Sequence, residues 1–397
     1  MKRFFAFFLM LTLLCGLVAC SDEDADPTTP STTYTPIPVG PIYDRGDYTV
    51  TLADLQAAYG TVVAELGDQK VDAELLQIAY WTEFVSFLYN ISSNMAPYNL
   101  DPSLPLHAQT NPGVGGTWQQ YFLNEALKTL HSFLAAIQAA QQEGITMPEE
   151  IHTAVDNDIA EMEKVAADEG YTDMDAYITY MYGPGCTLKA LKAYSYLSLC
   201  ASYYQDMRIA QYEITDQMIS DYYEAHKEDF INAGMLQDDR IVYRVRHLMV
   251  MVDEGADEIA WETARVKAQG LLEEYLAGAQ TEESFSQLAI EKSDDGETFR
   301  SGGLVDGLVP NSTYPEAFKN WYLDSSRQKG DVELVKTELG YHIMYYIGTY
   351  PTWRYETTQS MVNSMANALI PDAMATYAIT VHYDKLMVAE ASEKEEK

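Results

Sequence analysis

The chain has 397 residues, with 60 acidic against 25 basic side chains and a formal net charge of −35 at pH 7. Neutralising phosphates takes concentrated Lys and Arg, so this balance excludes a nucleic-acid partner and points to an acidic, soluble surface. Only four cysteines occur, none in a CxxC pair, which excludes a disulfide framework and a thiol redox site.

At the start, Lys2 and Arg3 precede an apolar run from Phe4 to Leu14. The run is too short to span a bilayer permanently and reads as a secretory signal over residues 1–19. It closes on Leu17-Val18-Ala19-Cys20, which resembles the lipobox of bacterial lipoproteins. That resemblance implies that Cys20 receives a diacylglyceryl thioether after cleavage and makes membrane lipid a partner of the chain. The expected location is then the outer face of the bacterial cytoplasmic membrane, with acyl chains on one cysteine as the anchor. Residues 20–46 are acidic, then rich in threonine and punctuated by Pro27, Pro30, Pro36, Pro38 and Pro41. Such a segment builds no core and acts as a semi-extended tether, spanning at most about 3 Å per residue. With Cys15 in the signal and Cys20 acylated, Cys186 and Cys200 remain, either as one disulfide or as two buried thiols.

From Tyr48 to about Phe230 the spacing predicts helices only, and residues 47–239 are expected to form one helical domain. Thr117 with Gln120 is a capping-box pair. After it Tyr121, Phe122, Leu127, Leu130, Phe133, Leu134 and Ile137 recur mostly at helical steps until Gly144. Similar periodicity covers Leu75–Leu88, Ile159–Ala167, Leu188–Tyr204 and Met218–Phe230, with Asn94–Gly116 as a long loop.

At Ile241 the period changes to two: Ile241, Tyr243, Val245, His247, Met249 and Met251 alternate with Val242, Arg244, Arg246, Leu248 and Val250. A strand opens a second domain, expected over residues 240–350. Helices follow at Ala264–Leu276 and Phe285–Ala289, then the loop Ser301-Gly302-Gly303 and a helix near Pro315–Leu323. A turn at Lys329-Gly330 leads to strands at Val332–Val335 and Tyr341–Ile347. After Pro351 the helical pattern returns through Met361, Met365, Leu369 and Met374, so residues 351–390 are expected to rejoin the helical domain before a charged tail at 391–397. A module of this kind between two helical stretches reads as an insert.

Three landmarks within Arg246–Gly348 resemble the parvulin family of peptidyl-prolyl isomerases. They are Val245-Arg246-His247-Leu248-Met249-Val250; Phe285-Ser286-Gln287-Leu288-Ala289 with Ser293-Asp294-Asp295 and Gly302-Gly303; and Thr337-Glu338-Leu339-Gly340-Tyr341-His342-Ile343. Upstream, Thr117-Trp118, Gly170-Tyr171 and Ile214-Thr215-Asp216-Gln217 resemble the helical domain of PrsA- and SurA-type extracytoplasmic foldases. The fold implied is a mostly α-helical chaperone domain with an inserted α+β parvulin-like domain, built on a four-stranded antiparallel sheet.

The activity implied is rotation about X-Pro peptide bonds, against a barrier of about 18–20 kcal/mol set by amide resonance. No bond breaks, so catalysis needs a water-poor pocket that favours the twisted amide over either planar form. By resemblance the catalytic group is His247, Asp295 and His342, with Asp295 where the family has an aspartate or cysteine. Substrate is then bound by Leu304, Val305, Tyr314, Phe318 and Thr337, with Tyr314 where the family often has methionine. The family's Gly-Gly-Asp-Leu-Gly is replaced by Gly302-Gly303-Leu304-Val305-Asp306-Gly307, which keeps a second reading in play, a holdase with a degenerate isomerase domain. A third reading, a lipoprotein that captures a wall or solute ligand, explains the anchor but not the ordered landmarks. Unfolded or partly folded secreted proteins are the partners implied, and a homodimer is left open. The sequence carries no Walker loop, zinc motif or serine-nucleophile elbow, so neither metal nor cofactor is expected. Isolated histidines (His226, His382) and the acidic stretch 253–258 have no ligand spacing.

Overall fold

The computed structural model describes residues 46–390, apart from 93, 94, 114 and 254. The signal, the Cys20 lipid site, the tether up to residue 45 and the tail at 391–397 lie outside the described residues. In chain order the first elements are α1 (Leu52–Ala57), β1 (Val62–Leu66), β2 (Gln69–Asp72), α2 (Ala73–Ile91), α3 (Trp118–Gln142), α4 (Glu150–Asp168), α5 (Met174–Met181) and α6 (Leu188–Ala210). Then come α7 (Asp216–Ala225), α8 (Lys227–Asn232), β3 (Ile241–Met251), α9 (Glu258–Ala277), α10 (Glu282–Lys292) and β4 (Leu304–Leu308). The last are α11 (Glu316–Leu323), β5 (Val332–Thr337), β6 (Gly340–Pro351), α12 (Thr352–Thr376) and β7 (Thr380–Val381). Two compact units result among the described residues: one runs up to Tyr212 and resumes at Ser364, and the other is Glu213–Asn363.

In the first unit α3 is the central helix. Thr117 Oγ1 accepts from Gln120 N–H at 3.2 Å while Gln120 Oε1 accepts from Thr117 N–H at 2.9 Å, so two donors that helix geometry leaves unpaired are satisfied together. Phe122, Leu127, Leu130, Phe133 and Leu134 are buried in one core with residues of α2 and α6, among them Leu76, Tyr80, Leu191 and Tyr194. Gly144, at φ +72°, ends the helical run in the left-handed conformation that favours glycine.

The expectation of helices only is corrected here. β1 and β2 form a hairpin with Leu66 opposite Gln69 and two residues, Gly67 and Asp68, between them. Gly67 sits at φ +58°, a positive value at the first loop position, as a type II′ turn requires. β7 adds to the other edge of β1, giving the order β2-β1-β7. Beyond it Leu386, Val388 and Ala389 are buried in the same core. Gln77 grips this segment from α2, donating to Ala389 O at 2.7 Å and accepting from Ala389 N–H at 3.1 Å. The Glu390 carboxylate accepts from Tyr80 Oη–H at 2.9 Å and Gln119 Nε2–H at 3.0 Å, and lies 2.8 Å from His107 Nδ1. Cys186 and Cys200 are both free and buried, so no disulfide joins them.

In the second unit the four strands pair antiparallel in the order β4-β3-β6-β5. Alternation along the strands separates two faces. Leu248, Val250, Ile343 and Tyr345 pack with Ala264, Ala268, Phe285 and Ala289 of α9 and α10. Val245, Val305, Val335, Met344 and Tyr346 pack with Phe318, Trp321 and Tyr322 of α11. Periodicity missed β4 because its five residues include Asp306 and Gly307, which read as loop, and Gly307 indeed sits at φ +69°. α7 and α8 meet at His226, which breaks the single helix expected over Met218–Phe230. No helix among the described residues is long and apolar enough to cross a membrane.

Candidate functional site

The α11 face of the sheet carries both histidines. Antiparallel register places His247 opposite Met344 and Met249 opposite His342, so the two imidazoles are diagonal neighbours on adjacent strands. Their Nδ1 atoms lie 3.1 Å apart, and each residue is only 3 % exposed.

Asp295 is brought to them by a loop laid along β3. β4 pairs with β3 at residues 243–246, which leaves the outer edge of β3 open beyond that point. The loop covers it: Ser293 Oγ accepts from Met249 N–H at 3.1 Å, Asp294 N–H donates to Met249 O at 2.8 Å, and Asp294 Oδ2 accepts from Met251 N–H at 3.1 Å. Further on, His247 N–H donates to Gly303 O at 2.8 Å. A Cβ at Gly303 would fall 1.9 Å from His247 O, at φ +72°, so the backbone approach that closes the site admits only glycine.

With both imidazoles neutral, one proton arrangement fits the network. Asp295 Oδ2 lies 2.9 Å from His247 Nε2, and the carboxylate is acceptor-only, so Nε2 carries the proton. In a neutral ring Nδ1 of His247 is then bare and accepts from His342 Nδ1–H. That leaves His342 Nε2 bare, to accept from Thr337 Oγ1–H at 2.9 Å, while Thr337 Oγ1 accepts from Leu339 N–H at 3.1 Å. Hydrogen bonds from His247, from Thr298 and from Glu297 N–H hold Asp295 well below the usual carboxylate range against the opposing effect of burial. Burial, then the neighbouring His247, lowers His342 to about 4, which keeps that imidazole uncharged at neutral pH.

Phe318, on α11, stands edge-on to both imidazoles at centroid distances of 5.4 and 5.5 Å. Tyr314 stacks on it at 4.7 Å and 16°. Phe318 is 0 % exposed, so it forms the floor beneath Tyr314 and not the wall of an open pocket. Val305 belongs to the same cluster, whereas Leu304 packs on the opposite face with the residues around α9 and α10. Thr337 is buried behind His342, where its hydroxyl is used by the imidazole and the turn. Asp306, the acid of the departed motif, is turned to Arg244, with Oδ2 2.9 Å from Nε.

Three contributors were missed by sequence reasoning. Thr298 Oγ1 donates to Asp295 Oδ2 and sits 3.1 Å from His247 Nε2, joining acid and base. Met249 and Met344 flank the histidines in register. The methionines were findable from the period-two spacing with His247 and His342; Thr298 lies in an irregular loop and gave no such signal. Among the described residues no group of His, Cys, Asp or Glu is placed to hold a metal ion.

The rotamase family model, the PPIC-type PPIase domain, matches residues 247–348. No curated protein matches the chain. Among solved structures the chain is similar to PrsA from Bacillus subtilis, at 19% identity over 68% of this chain and 90% of that chain, with a TM-score of 0.32. It is also similar to foldase protein PrsA from Streptococcus pneumoniae, at 16% identity over 66% and 91% with a TM-score of 0.23. For a SurA-like chaperone of Campylobacter jejuni the values are 17%, 58%, 82% and 0.21. The segment that carries both histidines, Asp295 and Phe318 thus belongs to the rotamase family of PPIC-type PPIase domains.

Proposed function

We propose that the protein is a lipid-anchored extracytoplasmic foldase that binds unfolded exported proteins and catalyses cis/trans isomerisation of their X-Pro bonds. The observation that carries the catalytic part is the relay from Leu339 N–H through Thr337, His342 and His247 to Asp295, packed edge-on against Phe318. The apolar floor takes the proline ring, and the relay presents a polar, nearly dry surface to the peptide carbonyl as it leaves the amide plane. Because burial keeps His342 neutral, that ring serves as an uncharged hydrogen-bond partner within the relay. The anchor and client binding rest on the lipobox-like Leu17–Cys20 and on the helical unit.

Protease-coupled isomerisation of short X-Pro peptides tests the reading. His342→Ala and Asp295→Ala should each lower the rate about tenfold, which is about 1.4 kcal/mol of transition-state stabilisation, with the fold retained. Cys20→Ala should release the protein from membranes. A second reading, a holdase with a degenerate isomerase domain, is favoured by one observation: Asp306 is committed to Arg244 and contributes nothing at the histidines. Suppression of aggregation without any isomerisation above background would establish that reading and sink the first.

A further inference from the structure

One face of the Phe318 ring is covered by a stacked aromatic side chain. Tyr314 lies nearly parallel to it, and the other aromatic neighbours of Phe318 are edge-on: His247, His342 and Tyr322, at interplanar angles of 76–87°. Together they leave Phe318 fully buried. Tyr314 itself is half-buried against the same apolar cluster, and its hydroxyl makes no hydrogen bond to a described residue, so apolar packing and the ring stack hold it there.

Its backbone, by contrast, is fixed. Val309 N–H donates to Ser312 Oγ at 2.9 Å, and Tyr322 Oη–H donates to Val309 O at 2.7 Å, tying the loop to α11. Pro315 follows directly at φ −49°, and a residue before proline is confined to extended backbone. The ring can therefore leave Phe318 by turning about its own side-chain torsions while the loop stays in place. Burial first, then the charges of Asp295 and Glu297, raises the Tyr314 hydroxyl above its ordinary value, which places that hydroxyl near the acidic side of the site and keeps it neutral.

Resting on the isomerase reading above, we propose that Tyr314 is a gate: its ring occupies the proline-stacking face of Phe318, and an X-Pro peptide binds only when that ring swings out. The gate is self-competition, so it weakens binding without touching the histidine relay. A stacked aromatic pair is worth up to about tenfold in an equilibrium, and that factor sets the size of the effect.

Calorimetric binding of a short X-Pro peptide to the full-length protein tests this independently of turnover. Tyr314→Ala should tighten binding about tenfold, and Tyr314→Phe, which keeps the ring, should bind like the unaltered protein. A thermal melt confirms that the alanine variant is folded. Where isomerisation is measured alongside, KM should fall in Tyr314→Ala. Unchanged or weaker peptide binding by folded Tyr314→Ala would overturn the gate, since the ring would then be a bystander or a wall that the peptide uses. Tightening by Tyr314→Phe would overturn it as well. A protein whose alanine variant binds tightly, but which isomerises nothing in either form, keeps the gate and loses the enzyme reading.

Discussion

Lowering the pH should loosen the second unit around His342. His342 has its folded value depressed to about 4 by burial, against about 6.5 for an exposed imidazole. A histidine depressed on folding binds protons more readily in the unfolded state, so its contribution is fully present above about 6.5, falls as pH drops, and is spent at about 4. Between pH 7.5 and pH 5.0 the two values imply a loss of about 2 kcal/mol in local stability, or roughly thirtyfold in opening. Asp295, depressed by its hydrogen bonds from His247 and Thr298, acts in the same direction but only below the usual carboxylate range, outside this window. Hydrogen exchange of β3 and β6 amides in the full-length protein, followed by mass spectrometry at the two pH values, reads the effect where it arises. His342→Gln keeps a polar side chain but cannot titrate, and its β3 and β6 amides should lose most of the pH dependence. Equal acid loosening in the variant, or none in the unaltered protein, would refute the assignment of a buried neutral His342.

The first unit should respond with the opposite sign. Burial raises Glu83 to about 7 despite the Thr129 hydroxyl bonded to it, so its contribution is present below about 4.5 and lost as pH rises through 7. From pH 5 to pH 8 helices α2 and α3 should lose about 2 kcal/mol, and Glu83→Gln should abolish that dependence; exchange that stays constant in α2 would count against it. Gly303→Ala places a Cβ against His247 O in a left-handed backbone, and positive-φ strain plus overlap should cost about 2–5 kcal/mol. Exchange in β3 should rise accordingly, and a variant as protected as the parent would show that the loop can shift aside.

What the sequence revealed and what it hid divide along physical lines. β3 was legible because the spacing changes from helical to two at Ile241 and holds over a strand-length run, and α3 because Thr117 and Gln120 mark its start and Gly144 its end. The histidines follow from landmarks in strands, where position fixes direction. The β1–β2 hairpin was lost inside a helical stretch because four- and five-residue strands give too short a window for period to decide. β7 is two residues long and exists only because β1 offers an edge. Thr298 and the stacking of Tyr314 on Phe318 belong to loops, where side-chain placement depends on contacts far away along the chain.

The last stretch of the chain sets a timetable for the first unit. Gln77 and Ala389 are joined through both backbone groups of Ala389 although 312 residues separate them. β7 closes the small sheet, and Leu386, Val388 and Ala389 fill the core around α2 and α3. A chain emerging from its amino end cannot make these contacts until nearly all of it is available, whereas β3 to β6 can pair within a stretch of about 110 residues. The second unit can thus mature while the first still waits for its final segment. Truncating even the last dozen described residues would withdraw Glu390 and the buried apolar segment from the first unit, leaving Tyr80, Gln119 and Gln77 facing a gap inside its core.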